Sequence, residues 1–230
     1  MNRVENASEN NRHGKKSRGK IKKFSIRLSQ NAHDLIEIMA ANTGATRSQI
    51  VAYAISCVRK NMKSRDEVLD LQQSITLLKK HFVLSLTETI SNQLTLDAID
   101  YDIKKNVLFG LLVSDYIERM DSNSPWLKPV LHPESQTQYK IYMHQSYYHA
   151  IQEYSTTEYV QLKIPVALGI LQGPSSISHY DFNEYIGTST TLPISLIAHI
   201  QQESVKREIP EYVYVDSCIK TFWDNTKKQT

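Results

Sequence analysis

The residues of this chain that could do chemistry crowd toward one end. Lys23, Ser25 and Arg27 alternate with Phe24, Ile26 and Leu28, so a strand over these positions has one apolar face and one wet, cationic face. Residues 1–23 hold eight Lys/Arg (Arg3, Arg12, Lys15, Lys16, Arg18, Lys20, Lys22 and Lys23) against Glu5 and Glu9. That surplus of six exceeds the net charge of +3 carried by all 230 residues, and the other 207 sum to about −3. Rich in Asn, Ser and Gly, the segment is expected to be disordered on its own and to supply nearly all the attraction for a polyanion. Its direct continuation into a cationic strand points to a nucleic-acid-binding arm.

Catalytic chemistry finds little support, and the expectation is a protein that is not an enzyme and needs no cofactor. The eight histidines are scattered, and the one close pair, His144 and His149, is five residues apart, which does not place both on one helix face. Seven glycines supply no phosphate loop, and no Ser, Cys or carboxylate stands in a nucleophile or metal motif, so no metal site is expected. Cys57 and Cys218, 161 residues apart in helix-like patterns, read as small core residues in a reducing compartment. The thirteen tyrosines, many between 139 and 185, read as core and interface aromatics before base-stacking platforms. No apolar run approaches the roughly eighteen residues of a membrane span, and no apolar segment follows the basic N-terminus as in a secretory signal. A cytoplasmic, nucleoid-associated protein with no membrane partner is the expectation.

The elements that must position the cationic strand come next. Ser29 can cap a helix whose apolar face is Ala32, Leu35, Ile36, Met39 and Ala40, and Gly44 ends it. Thr46 then caps a second helix with Ile50, Ala54, Cys57 and Val58 on its buried side. The exposed N–H groups around Thr46, Arg47 and Ser48 make a natural phosphate site. The unit is strand, helix, turn, helix in residues 22–62, behind an arm at 1–21.

In that spacing, in "SIRLS", and in the Gly-Ala-Thr-Arg-Ser-Gln-Ile-Val entry to the second helix, residues 22–62 resemble the ribbon-helix-helix family of DNA-binding proteins, the MetJ/Arc/CopG superfamily. The resemblance implies that two strands pair antiparallel and that the ribbon lies in the DNA major groove. Carried over by position, Lys23, Ser25 and Arg27 would face the bases, with Arg27 placed for a bidentate contact to guanine, while Phe24, Ile26 and Leu28 enter the core. Phosphate contacts would come from Lys15, Lys16, Arg18, Lys20 and Lys22 of the arm and from Thr46, Arg47 and Ser48.

The plan repeats. Residues 80–121 align on the first unit without a gap at an offset of 58, setting Phe82 on Phe24, Leu84 on Ile26, Leu86 on Leu28 and Leu94 on Ile36. Residues 187–226 repeat it divergently at an offset of 164, with Leu192 and Ile200 standing for Leu28 and Ile36. Residues 137–173 give a weaker copy, because Pro165 falls where a second helix should run. Linkers are expected at 63–79, where a helix is foreseen, and at 122–136 and 174–186. The fold class is therefore mainly α with short β-ribbons, an N-terminal ribbon-helix-helix followed by further divergent units. A competing reading of one stretch remains: Val68, Leu71, Ile75, Leu78 and Phe82 are spaced 3, 4, 3, 4 and also fit a coiled-coil-like helix over 65–94.

These readings lead to a sequence-specific double-stranded DNA-binding protein that acts by occupying a site, foremost a transcriptional repressor. A plasmid or mobile-element relaxosome accessory or centromere binder is the alternative, since F-type conjugation accessory proteins also carry tandem units on one polypeptide. An antitoxin whose C-terminal units bind a protein partner is the third. Concentration of charge in one unit favours a homodimer through the N-terminal ribbon; pairing within one chain would set Lys23, Ser25 and Arg27 beside His81, Val83 and Ser85.

Overall fold

The computed structural model describes residues 20–120, 124–127, 135–158, 160–178 and 180–228. Within them, four strand–helix–helix units follow one another. The first is β1 (Ile21–Ile26), α1 (Gln30–Thr43) and α2 (Arg47–Lys60). A linking helix, α3 (Arg65–Ser74), leads to β2 (Phe82–Thr87), α4 (Glu88–Asp100) and α5 (Lys105–Glu118). Beyond a 3-10 turn at Pro125–Leu127 come β3 (Gln136–His144), α6 (Gln145–Thr157) and α7 (Lys163–Gln172). A second 3-10 turn at Phe182–Glu184 precedes β4 (Tyr185–Pro193), α8 (Ile194–Lys206) and α9 (Glu211–Lys228). The described fold is mainly helical with two short antiparallel ribbons, β1 with β2 and β3 with β4.

Local chemistry fixes most boundaries. Ser29 Oγ accepts from the Ala32 N–H at 3.0 Å to start α1, and Gly44, at φ +64°, ends it in the left-handed region where a side chain would be strained. Thr46 and Gln49 form a reciprocal capping box at the head of α2, and Ser64 and Glu67 form another at the head of α3. Thr87 caps α4 through the Ile90 N–H. Pro165 lies in the first turn of α7, where its missing N–H costs no helical hydrogen bond, so the residue that weakened the sequence case for that helix is compatible with it.

Strand pairing differs from the favoured expectation. β1 takes β2 of the same chain as its partner, with Lys23 opposite Ser85, Phe24 opposite Leu84 and Ser25 opposite Val83, where the sequence had favoured β1 of a second chain. The pairing extends past both strand ends: Glu88 N–H donates to the Lys20 carbonyl at 2.7 Å and Leu78 N–H to the Leu28 carbonyl at 2.9 Å. The edge of β1 that a second copy would need is therefore occupied. The physical reason is that a covalently tethered strand is present at high effective concentration, and its inner residues Leu84 and Leu86 complete the apolar face begun by Phe24 and Ile26. All four are buried, each contributing about 1.5–3 kcal/mol by leaving water. The single-helix reading of 65–94 also gives way: α3 stops at Ser74, and Phe82–Thr87 enters the ribbon.

Beneath each ribbon, two pairs of helices enclose a core. In the first half Phe24 meets Phe109 of α5 edge to face at 6.4 Å. In the second, α7 and α9 cross closely at Gly169, where a Cβ would sit 3.0 Å from the Cys218 carbonyl oxygen. The halves join through a continuous apolar cluster that includes Tyr53, Tyr154, Phe222 and Trp223. Polar contacts fix their relation: Ser56 Oγ lies 2.7 Å from the Tyr154 hydroxyl, and Arg59 pairs with Glu158 at 2.9 Å. Lys163, buried at the head of α7, donates to the Gly44 carbonyl, to Gln136 Oε1 at 2.5 Å and to Thr191 Oγ1 at 3.1 Å. Desolvation lowers the pKa of its ammonium, a cost that three acceptors offset.

Candidate nucleic-acid interface

The outer face of the β1–β2 ribbon gathers two of the three expected base-contacting residues directly. Lys23 and Ser25 point away from the core, Lys23 donating to Ser85 Oγ at 3.3 Å and Ser25 Oγ lying 2.7 Å from His81 Nδ1. Arg27 lies one residue beyond β1, half-buried, where its backbone N–H reaches the Asn106 carbonyl at 3.3 Å. Its Nε donates to the Leu78 carbonyl at 2.9 Å, which holds the guanidinium at the ribbon's end and leaves both Nη groups uncommitted among the described residues. Continuing the register by one step sets Arg27 level with His81. Lys23 and Arg27, four residues apart on one strand, therefore stand at opposite ends of the outer face, while the β2 side of that face, with His81, Val83 and Ser85, carries no Lys or Arg, as intramolecular pairing implied.

The expected phosphate-contacting residues divide. Thr46 and Arg47 are exposed and Ser48 half-buried at the head of α2; the Thr46 hydroxyl is used in capping, and Arg47 pairs with Glu37 at 2.6 Å. Both members of that ion pair are well exposed, so opening it costs about 0–1 kcal/mol. Lys20 is exposed just ahead of β1. Lys22, in contrast, sits at the margin of the inner face, bonded to Glu88 at 2.6 Å and 3.4 Å from Asn92 Oδ1, and its hydrogen bond holds the Glu88 carboxyl below the usual carboxylate range. Lys15, Lys16 and Arg18 lie outside the described residues.

Further cations border this face that the sequence reading passed over. Lys79 and Lys80 are exposed on the approach to β2. Lys104 is exposed at the head of α5, whose first turn has no side-chain cap, and Lys105 follows it, 3.2 Å from Thr95 Oγ1. The repeat already contained the signal: at the offset of 58, Lys104 and Lys105 fall on Thr46 and Arg47. The ribbon is thus flanked by two equivalent helix N-termini, each with a cation and unpaired backbone N–H groups. The field reaches the flank of α1, where burial first, and then Lys80 and Arg47, pull the His33 imidazole below its ordinary pKa.

The second ribbon offers a different outer face: Gln138, Lys140 and Tyr142 from β3, with Gly187, Ser189 and Thr191 from β4. Lys140 lies 4.9 Å from the Tyr142 ring centroid, which in turn packs on Phe182 and Tyr212. His144 is buried and stacked on Tyr180 at 3.8 Å, while His149 contacts Tyr148, so the close histidine pair does not converge. Among the described residues no group of three His, Cys, Asp or Glu is placed to hold a metal ion, and no helix is long and apolar enough to cross a membrane. No protein-family model matches the chain, and neither does any curated protein or solved structure.

Proposed function

We propose that the chain is a sequence-specific double-stranded DNA-binding protein of the ribbon-helix-helix kind, which inserts the outer face of its β1–β2 ribbon into the major groove. The observation that carries this reading is the ribbon with a cation at each end of its outer face, flanked by two equivalent cationic helix heads. A two-stranded ribbon fits the roughly 12 Å width of the major groove, and the helix heads of α2 and α5 would meet the phosphates on either side. Lys23, Ser25 and the Nη groups of Arg27 would read base edges; Lys20, Arg47, Ser48, Lys104 and Lys105 would hold the backbone. Such binding acts by occupancy, as in repression of transcription. The tandem units on one polypeptide equally suit a relaxosome accessory or centromere binder, and a genome-wide map of bound DNA separates a promoter from an origin of transfer or a centromere.

Arg27→Ala tests the reading. It is expected to weaken binding to the cognate duplex by about 1–3 kcal/mol and binding to random duplex hardly at all, measured by fluorescence anisotropy at fixed salt. Equal losses on both duplexes would reduce Arg27 to a phosphate contact, and absence of duplex binding by the intact chain would end the proposal.

A further inference from the structure

We infer that one chain reads an asymmetric duplex site and that Val83 selects a thymine at its centre, an inference that rests on the DNA-binding reading above. Ser25 and Val83 occupy equivalent places in the two units, 58 residues apart, and the ladder sets them directly opposite each other. The local two-fold of the ribbon therefore passes between them, and they form the middle of the outer face. On one side stand Lys23 and Ser85, joined at 3.3 Å. On the other stand Arg27 and His81, the first anchored to the Leu78 carbonyl and the second 2.7 Å from Ser25 Oγ.

A ribbon of two identical strands would carry the same pair on both sides and would match a palindrome. Here one side offers an ammonium with a hydroxyl and the other a guanidinium with an imidazole. A two-fold-symmetric duplex would present identical base edges to these unlike sets, so at most one half-site would be matched. The best site therefore has two different halves, and because both strands belong to one molecule, a single chain completes the contact.

Val83 gives the centre its preference. Val83 is 54% exposed at the middle of the face, between the Lys23–Ser85 and Arg27–His81 pairs, and its side chain can neither donate nor accept a hydrogen bond. In the major groove the thymine C5-methyl is the apolar group that projects to meet it, whereas an adenine N6, cytosine N4 or guanine O6 held there would lose water without gaining a partner. Ser25, across the dyad, can donate or accept and so tolerates several bases.

The experiment is selection of bound sequences from a randomised duplex pool by the full chain, followed by titration of the selected duplex and of the same duplex with each central thymine replaced by uracil. The expected result is a non-palindromic motif bound by one chain per duplex, with a central thymine whose replacement by uracil weakens binding about fourfold, the effect of one buried methyl group. Val83→Ala should bind the thymine and uracil duplexes alike, and Val83→Thr, which keeps a γ-methyl, should restore the preference. A palindromic motif bound by two chains, or uracil equal to thymine at every central position, overturns the inference while leaving DNA binding intact. Failure to enrich any motif removes the DNA-binding reading itself, and this inference with it.

Discussion

The two ribbons share a plan and differ in what they show to solvent. The first leaves its outer face open, with Lys23 and Arg27 at opposite ends and Lys20, Lys79, Lys80 and Lys104 around it. The second carries Lys140 as the one cation among its six central outer positions, and that lysine lies against Tyr142. One end of the second ribbon is tied by Lys163 to the Gly44 turn of the first half; toward the other, Tyr142 is held in a cluster with Phe182 and Tyr212. Charge follows the same division: residues 20–120 hold fourteen Lys/Arg against eleven Asp/Glu, and residues 121–230 hold eight against eleven. The inner faces, which set the fold, are alike in kind, so the outer positions are left to vary. In the first half they leave cations open, and in the second Lys140 packs against Tyr142 and Tyr142 against Phe182 and Tyr212, with one end tied through Lys163 to the Gly44 turn.

Disturbing the close crossings should break the comparison most strongly. A Cβ on Gly110 of α5 would collide with the backbone carbonyl oxygen of Arg27, which cannot step aside without moving the end of β1. Gly110→Ala is expected to cost about 3 kcal/mol in denaturant unfolding, against about 1 kcal/mol for Gly169→Ala, whose nearest atom stands at 3.0 Å. Comparable midpoints for the two variants would mean that the first ribbon is not seated on α5 as described.

Electrostatics should separate the halves next. Removing residues 1–20 should weaken binding to specific and random duplexes together and flatten the plot of log K against log salt by about 0.9 per lost phosphate contact. An unchanged slope would exclude the arm from the interface. At the helix heads, Lys104→Ala should reduce the slope by about 0.9 on every duplex, the loss of one phosphate contact, while Lys140→Ala on the second ribbon should leave it untouched. Equal effects from the two would make the ribbons equivalent and undo the distinction drawn between them.

A smaller effect lies inside the second half. Asp216 is fully buried on α9, its Oδ1 accepting from the His144 N–H at 2.8 Å and from the Tyr147 hydroxyl, while Oδ2 has no partner. Burial pushes its carboxyl up from 3.8 to about 7. A raised carboxyl pKa means that the folded state binds a proton that the unfolded state has released, so this group's contribution to stability falls from about pH 4 to pH 7 and then levels. Asp216→Asn keeps the acceptor oxygen and removes the titration. Melting temperatures across pH 4–8 should therefore decline less in this variant than in the parent, with the difference growing up to about pH 7. Parallel profiles would show that Asp216 titrates as it does in the unfolded chain and is better solvated than its position indicates.

Much of the first unit could be read from neighbours in sequence. The alternation across Lys23–Leu28, the caps at Ser29 and Thr46 and the left-handed Gly44 act over two to four residues, and each stands where local reasoning puts it. The offset of 58 likewise foretold the strand at Phe82–Thr87, and it held the positions of Lys104 and Lys105 for a reader who carried it into the second helix. Pro165 misled because its effect depends on where the helix begins, and α7 begins two residues before it.

The sequence alone determined the first strand and which face of it is apolar, because side-chain alternation is a property of the local chain. Only the tertiary structure decided which strand β1 would take, because an apolar strand face is satisfied by any complementary partner and the choice falls to tether and packing. That choice set the chemistry of the outer face: the register put Ser25 against Val83 at the centre and brought His81 and Ser85 from about sixty residues away to stand beside Arg27 and Lys23.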